Sequence, residues 1–198
     1  MKKLIPILLA VFALASCEKD PDMGKLDDNY LVYTNYDKKA DFKVPTFYLA
    51  DKILVISDSK EPEYLEGEGA EQILAAYTDN MIARGYAAAT NKESADLGIQ
   101  VSYIASTYYF TSYTQPEWWW GYPGYWGPSY WGNWGGWYYP YAVTYTYSTG
   151  SFITELLNLE ATQGEKEKLP VLWTSYMSGL LSGSTSVNTK LAVEGVNQ

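Results

Sequence analysis

The chain has 198 residues, 47% of them hydrophobic, with a formal net charge of −9 and no histidine. That length suits one domain plus a leader, and the absence of histidine excludes histidine metal sites and every serine or cysteine nucleophile that needs a histidine base. The acidic balance, with no basic patch, excludes nucleic acid as a partner.

Residues 1–16 read as a leader. Lys2 and Lys3 give a positive start, and Leu4 to Ala15 is an apolar run too short to span a bilayer as a mature helix. The run ends in Leu14-Ala15-Ser16-Cys17, which matches the bacterial lipobox, so Cys17 is the expected lipidation site and mature N-terminus. It is also the only cysteine, with no disulfide partner in the chain. Two or three acyl chains bury enough methylenes to hold a protein on a membrane. Cleavage before Cys17 removes two lysines and no acids, taking the net charge from −9 to −11. Residues 17–29 lack apolar periodicity and read as a flexible tether. Their acids resemble a mark that, in some bacteria, sends a lipoprotein to the outer face, which leaves periplasmic and surface-exposed outer-membrane locations both open.

The body is expected over 30–198 as a single α+β domain, a mostly antiparallel sheet with one or two helices packed on one face. Tyr30 to Tyr36 is rich in strand formers, and the polar stretch to Phe42 reads as a solvated turn. Thr46 to Leu49 and Lys52 to Ser57 follow as one bent strand or two short ones, and Asp58 to Glu66 as a loop. From Glu68 to Arg84, Ala70, Ile73, Leu74, Tyr77, Met81 and Ile82 draw one helical stripe, closed by Gly85 at the position of a left-handed C-cap. Tyr86 to Thr90 is a short strand and Asn91 to Ser94 a turn. Leu97 to Tyr113 alternates as a half-buried antiparallel strand, with Leu97, Ile99, Val101 and Tyr103 on one side and Gly98, Gln100 and Ser102 on the other.

The stretch 114–141 fits no regular element. It holds seven of the eight tryptophans with six glycines, four prolines and a single charge, Glu117. It reads as the tip of a long hairpin, with Tyr141 to Thr149 as the return strand. Trp118, Trp119, Trp120, Trp126, Trp131, Trp134 and Trp137 are its candidate binding residues. Phe152 to Glu160 and Leu169 to Leu181 are two further strands joined by a charged loop, with Trp173 expected in the core. Val187 to Gln198 reads as a short second helix with Leu191 facing inward, weakened by Gly195.

In four places the chain resembles the bacterial lipoprotein family known as domain of unknown function 4136. These are Tyr36-Asp37 with Ala40-Asp41-Phe42; Arg84-Gly85-Tyr86; Ala95-Asp96-Leu97; and Tyr147, Gly150 and Leu172-Trp173 across the last hairpin. The resemblance implies a sheet with helices on one face and brings neither an activity nor catalytic residues. This chain departs from the family by its swollen aromatic stretch and by a last helix that stops early.

The candidate acids for catalysis, Asp37, Asp41, Asp96, Glu117 and Glu155, form no recognisable constellation. There is no nucleophile elbow, no phosphate-binding glycine loop, no metal-ligand spacing and no cofactor signature. The reading is of a non-enzymatic, lipid-anchored envelope protein. Its aromatic stretch packs on its own sheet, touches a protein partner or the membrane interface, where tryptophan and tyrosine concentrate, or stacks on glycan. For a glycan, only Gln115, Glu117, Ser129 and Asn133 within the stretch are available to bond sugar hydroxyls.

Overall fold

The structure is a computed structural model that describes residues 31–40, 42–43, 45–57, 59, 63–105, 137–140, 149–160, 169–178 and 185–198. Its strands are β1 (Leu31–Tyr36), β2 (Thr46–Leu49), β3 (Ile53–Ile56), β4 (Glu63–Leu65), β5 (Ala87–Ala88), β6 (Leu97–Ile104), β7 (Trp137–Tyr138), β8 (Ser151–Asn158) and β9 (Leu169–Ser178). Among these residues the helices are α1 (Glu68–Ala83) and α2 (Thr185–Val196), with a 3-10 turn at Lys92–Ser94. The expected α+β class holds, and the long ladders β1–β9, β9–β8 and β8–β6 are all antiparallel.

Strand β6 is the axis. One edge pairs with β8 over its whole length, from Leu97 opposite Asn158 to Ile104 opposite Ser151. The other edge is shared by β2, which runs parallel to Leu97–Ile99, and β3, which runs parallel to Ser102–Ile104. The two short strands are thus one line bent at Ala50, whose N–H still donates to the Ile99 carbonyl at 3.1 Å. The expected polar loop at 58–66 contains β4, which pairs antiparallel with β3. Three residues between Pro62 and Glu66 carry too little periodicity to reveal a strand. The expected strand after α1 shrinks to Ala87–Ala88 beside β2.

The helix α1 forms where its stripe predicts. Ala70, Ile73, Ala76 and Tyr77 are buried, while Ile82, placed on the stripe, is instead half exposed. The helix ends in a Schellman arrangement. The Gly85 N–H donates to the Ile82 carbonyl at 2.9 Å and the Tyr86 N–H to the Met81 carbonyl at 3.1 Å, with Gly85 at φ 93°. An L side chain would be strained there. The reversal sends Tyr86 back beneath the helix toward Met81. Helix α2 starts earlier than expected; Leu191 packs against the core as expected, partly buried, and Ala192 beside it is fully buried.

Helices α1 and α2 cross closely at Gly69. A Cβ added to Gly69 would lie 2.6 Å from Thr189 Oγ1, inside any real contact. Alanine favours a helix over glycine by about 1 kcal/mol, yet a threonine on a helix has few rotamers with which to yield. Gly69→Ala is therefore expected to lower the unfolding midpoint, and in a Thr189→Ala background the same change is expected to raise it. Thermal unfolding of the four chains checks the reversal of sign.

The turn before β6 is held by Asp96. Its Oδ2 accepts from the Thr46 N–H at 2.9 Å and the Thr46 hydroxyl at 2.6 Å, and its own N–H donates back to Thr46 Oγ1 at 3.0 Å. These bonds pin the start of β2 to the start of β6. The Thr46 hydroxyl, opposed by partial burial, holds the Asp96 carboxyl below its ordinary value of 3.8. A depressed carboxyl adds stability that is present above the ordinary value and lost as pH falls through the folded one. The stability gap between wild type and Asp96→Asn is thus expected to be full near neutrality and to close as pH drops below about 4. Urea unfolding across an acid series measures it.

Candidate functional site

One face of the sheet carries the helices. Along it, rows of side chains run across four strands, among them Val32, Met177, Phe152 and Tyr103, then Thr34, Ser175, Thr154 and Val101. Tyr103 and Phe152 meet with ring centroids 5.0 Å apart. Where α1 and α2 pull away from these rows a cleft of about 320 Å³ remains.

The cleft is apolar in its walls and polar at a few chosen points. Phe42, Met81, Ile99, Leu156, Trp173 and Val196 supply the apolar lining. On its floor the Tyr77 and Thr154 hydroxyls share a hydrogen bond at 2.5 Å, and Ser175 stands beside Thr154 on the next strand. Ser175 is only 4% exposed, and its hydroxyl makes no hydrogen bond among the described residues.

At the rim is Arg84, the only arginine in the chain. Its Nη1 donates to the Asn80 carbonyl at 3.2 Å and to Asn80 Oδ1 at 2.8 Å. The Asn80 amide is itself fixed, donating to the Ala76 carbonyl at 2.9 Å and to Asn197 Oδ1 at 2.7 Å. The guanidinium is therefore oriented by contacts that tie the ends of both helices together. Among the described residues it makes no ion pair.

Three of the four places that carry the family resemblance meet here. The turn after β1 delivers Phe42, whose carbonyl accepts from the Tyr86 hydroxyl at 2.9 Å. The Schellman end of α1 delivers Arg84 and Tyr86, and β9 delivers Trp173, partly buried as a wall of the cleft rather than sealed in the core. Asp96 lies elsewhere, in the β2–β6 clasp. No periodicity could have found this cleft, because its walls come from segments far apart in the chain.

The opposite face corrects the expectation of a half-buried sheet. Gln100, Ser102, Glu155 and Thr174 are all 0–1% exposed, in company with Ile104, Ile153 and Leu157. Gln100, Glu155 and Thr174 stand side by side on β6, β8 and β9, so a buried polar row crosses the centre of the sheet. The Tyr139 hydroxyl donates to Glu155 Oε1 by a short hydrogen bond. Alternation shows which residues share a face; it does not show that the polar face stays wet.

Tyr139 belongs to the aromatic stretch, and so do Trp137 and Tyr138, which pair parallel with Leu169 and Pro170 at the start of β9. The stretch, expected to hold no regular element, thus ends in a two-residue strand and a core tyrosine that is 7% exposed. Local composition, rich in glycine and proline, is overridden there by pairing with a strand more than thirty residues further on. Cys17 and Trp118, Trp119, Trp120, Trp126, Trp131 and Trp134 lie outside the described residues, as do Asp41, Glu117 and the expected return strand 141–148. The described β8 completes the pairing of β6, and the Gly150 N–H donates to the Ile104 carbonyl at 2.8 Å, so both ends of the excursion 105–149 meet at one point of the sheet.

The catalytic candidates that are described do not converge. Asp37 accepts from the Lys39 N–H within its turn, Asp96 holds Thr46, and Glu155 is sealed with Tyr139. Among the described residues no group of three or more acids, histidines or cysteines could hold a metal ion, and no helix is long and apolar enough to cross a membrane.

A family profile described as "Domain of unknown function (DUF4136)" matches residues 32–198. The chain is similar to a crystal structure, at 1.60 Å resolution, of a DUF4136 family protein from Bacteroides thetaiotaomicron VPI-5482. The two are 80% identical, with 87% of this chain and 94% of that one covered and a TM-score of 0.77. Two PelC dodecamer structures from Paraburkholderia phytofirmans, one of them of a point variant, align at 11–12% identity. They cover 83% of this chain and 92–93% of theirs, at TM-scores of 0.35 and 0.36. No curated protein matches the chain.

Proposed function

The chain belongs to the DUF4136 family, and from that premise we propose that it is a lipid-anchored protein of the cell envelope that mediates contact with a partner or the membrane through its aromatic stretch. The anchor is Cys17, at the end of a leader that matches a lipobox, and residues 17–29 tether the body. The single observation that carries the interaction reading is the junction at Trp137–Tyr139. One end of a tryptophan-rich stretch is paired to β9 and bonded into the buried row at Glu155. A rigid base of this kind lowers the entropy lost when rings upstream of it engage a surface.

The anchoring half is tested on cells that make the full chain. Wild type is expected in the membrane fraction, with a diacylated or triacylated Cys17 as its first residue by mass spectrometry. Cys17→Ala is expected to abolish the acylation and release the chain. An intact leader, or an unmodified thiol on a soluble wild-type chain, sinks this reading. The interaction half is tested by tryptophan emission of the full Cys17→Ala chain. A blue shift with liposomes supports membrane contact, while a response to one sugar class on a glycan array would move the assignment to surface glycan binding.

A further inference from the structure

We propose that the cleft between the helices and the sheet binds a small amphipathic monoanion, of the class of a medium-chain carboxylate, with its anionic head at Arg84 and its apolar body against Ile99, Leu156 and Trp173. This stands apart from the anchoring reading and rests on different residues.

Four observations carry it. The cleft, at about 320 Å³, has the size and mostly apolar lining of a small-molecule site, with a few polar groups set to orient what enters. No acidic side chain lines it, although the chain as a whole carries a net charge of −9. Its one charged side chain is Arg84, held by Asn80 at Nη1 alone, so that Nε and Nη2 make no hydrogen bond among the described residues. Guanidinium presents planar paired donors that suit a carboxylate, and an oriented fork loses less entropy on binding than a free one. Finally, Ser175 lines the cleft beside Thr154, and its hydroxyl makes no hydrogen bond among the described residues, so it is available to the head of what enters.

A polyanion is disfavoured, since a single guanidinium cannot neutralise it against the acidic surface. A cation finds no counter-charge among the side chains of the lining. An uncharged amphiphile gains the apolar walls but leaves Arg84 unused. The occupant of best fit therefore has one negative charge and a compact hydrocarbon body.

The test uses the full chain carrying Cys17→Ala, so that no acyl group of its own competes, and calorimetric titration with octanoate, octan-1-ol and octylammonium. Octanoate is expected to bind one per chain, octan-1-ol about tenfold more weakly, and octylammonium not at all. Arg84→Gln is expected to bring octanoate down to the affinity of octan-1-ol with the unfolding midpoint unchanged, because Arg84 is exposed. Thr34→Trp, which fills the cleft from the exposed edge strand β1, is expected to abolish both. Equal binding of octanoate and octan-1-ol, an unchanged octanoate affinity in Arg84→Gln, or no heat with octanoate overturns the proposal.

Discussion

Glu155→Ala is expected to lower the stability of the folded chain by about 3 kcal/mol or more, the largest effect of any single polar substitution here. Glu155 is 0% exposed at the centre of β8, flanked by Gln100 and Thr174 on the neighbouring strands. Its carboxyl receives the Tyr139 hydroxyl. Truncation removes the acceptor of that hydroxyl in a packed interior, and it empties the space of the side-chain atoms beyond the Cβ. Tyr139→Phe removes only the donor, so about 1–2 kcal/mol is expected. Replacing both partners by apolar groups, as Glu155→Met with Tyr139→Phe, is expected to recover much of the loss, because a buried bond costs most when only half of it is removed. Urea unfolding of wild type, Glu155→Met, Tyr139→Phe and the double variant yields the coupling energy. Additive losses would show that the two side chains contribute independently.

Excision of the aromatic stretch is expected to divide sharply at Trp137. A chain lacking residues 115–134, joined by a short glycine–serine turn, keeps β7 and Tyr139 and should still unfold cooperatively. Closing a shorter loop changes the entropy only slightly, about 0.6 kcal/mol per halving of length. A chain lacking 115–139 also loses β7 and the burial of Tyr139, which is expected to cost about 3 kcal/mol more. Equal stability of the two chains would remove Tyr139 from the core. Loss of cooperative unfolding in the shorter excision would make the upstream stretch part of the fold and end its reading as an interaction element.

Much of the scaffold is legible because it is written in local periods. The stripe from Ala70 to Tyr77 and the glycine at 85 place α1 and its end. The alternation from Leu97 to Tyr103 places β6 and sorts its side chains onto two faces. The order of strand, charged loop and strand between 151 and 178 predicts the β8–β9 pairing. Each of these signals lies within about thirty residues and reflects geometry that a helix or strand imposes on itself. The misses are of another kind. Acids hide β4, the helical period assigns Ile82 to a buried face that does not reach it, and composition alone conceals the strand that ends the aromatic stretch.

The candidate site is less legible than the scaffold. Asp96 stands out in the sequence as part of the family resemblance and as a candidate acid, but nothing near it points to Thr46, fifty residues earlier. Phe42, Arg84, Tyr86 and Trp173 carry a family resemblance without any hint that they share one cleft. Local patterning is thus enough to place the helices, most strands and the face on which each side chain stands, since those follow from backbone geometry over a few residues. What covers each face is settled only when the chain assembles. A strand's polar side becomes interior, or its apolar side a cleft, according to segments that arrive from elsewhere in the chain. Glu155 bonded to Tyr139, and Ser175 and Arg84 lining one cleft, are the two results.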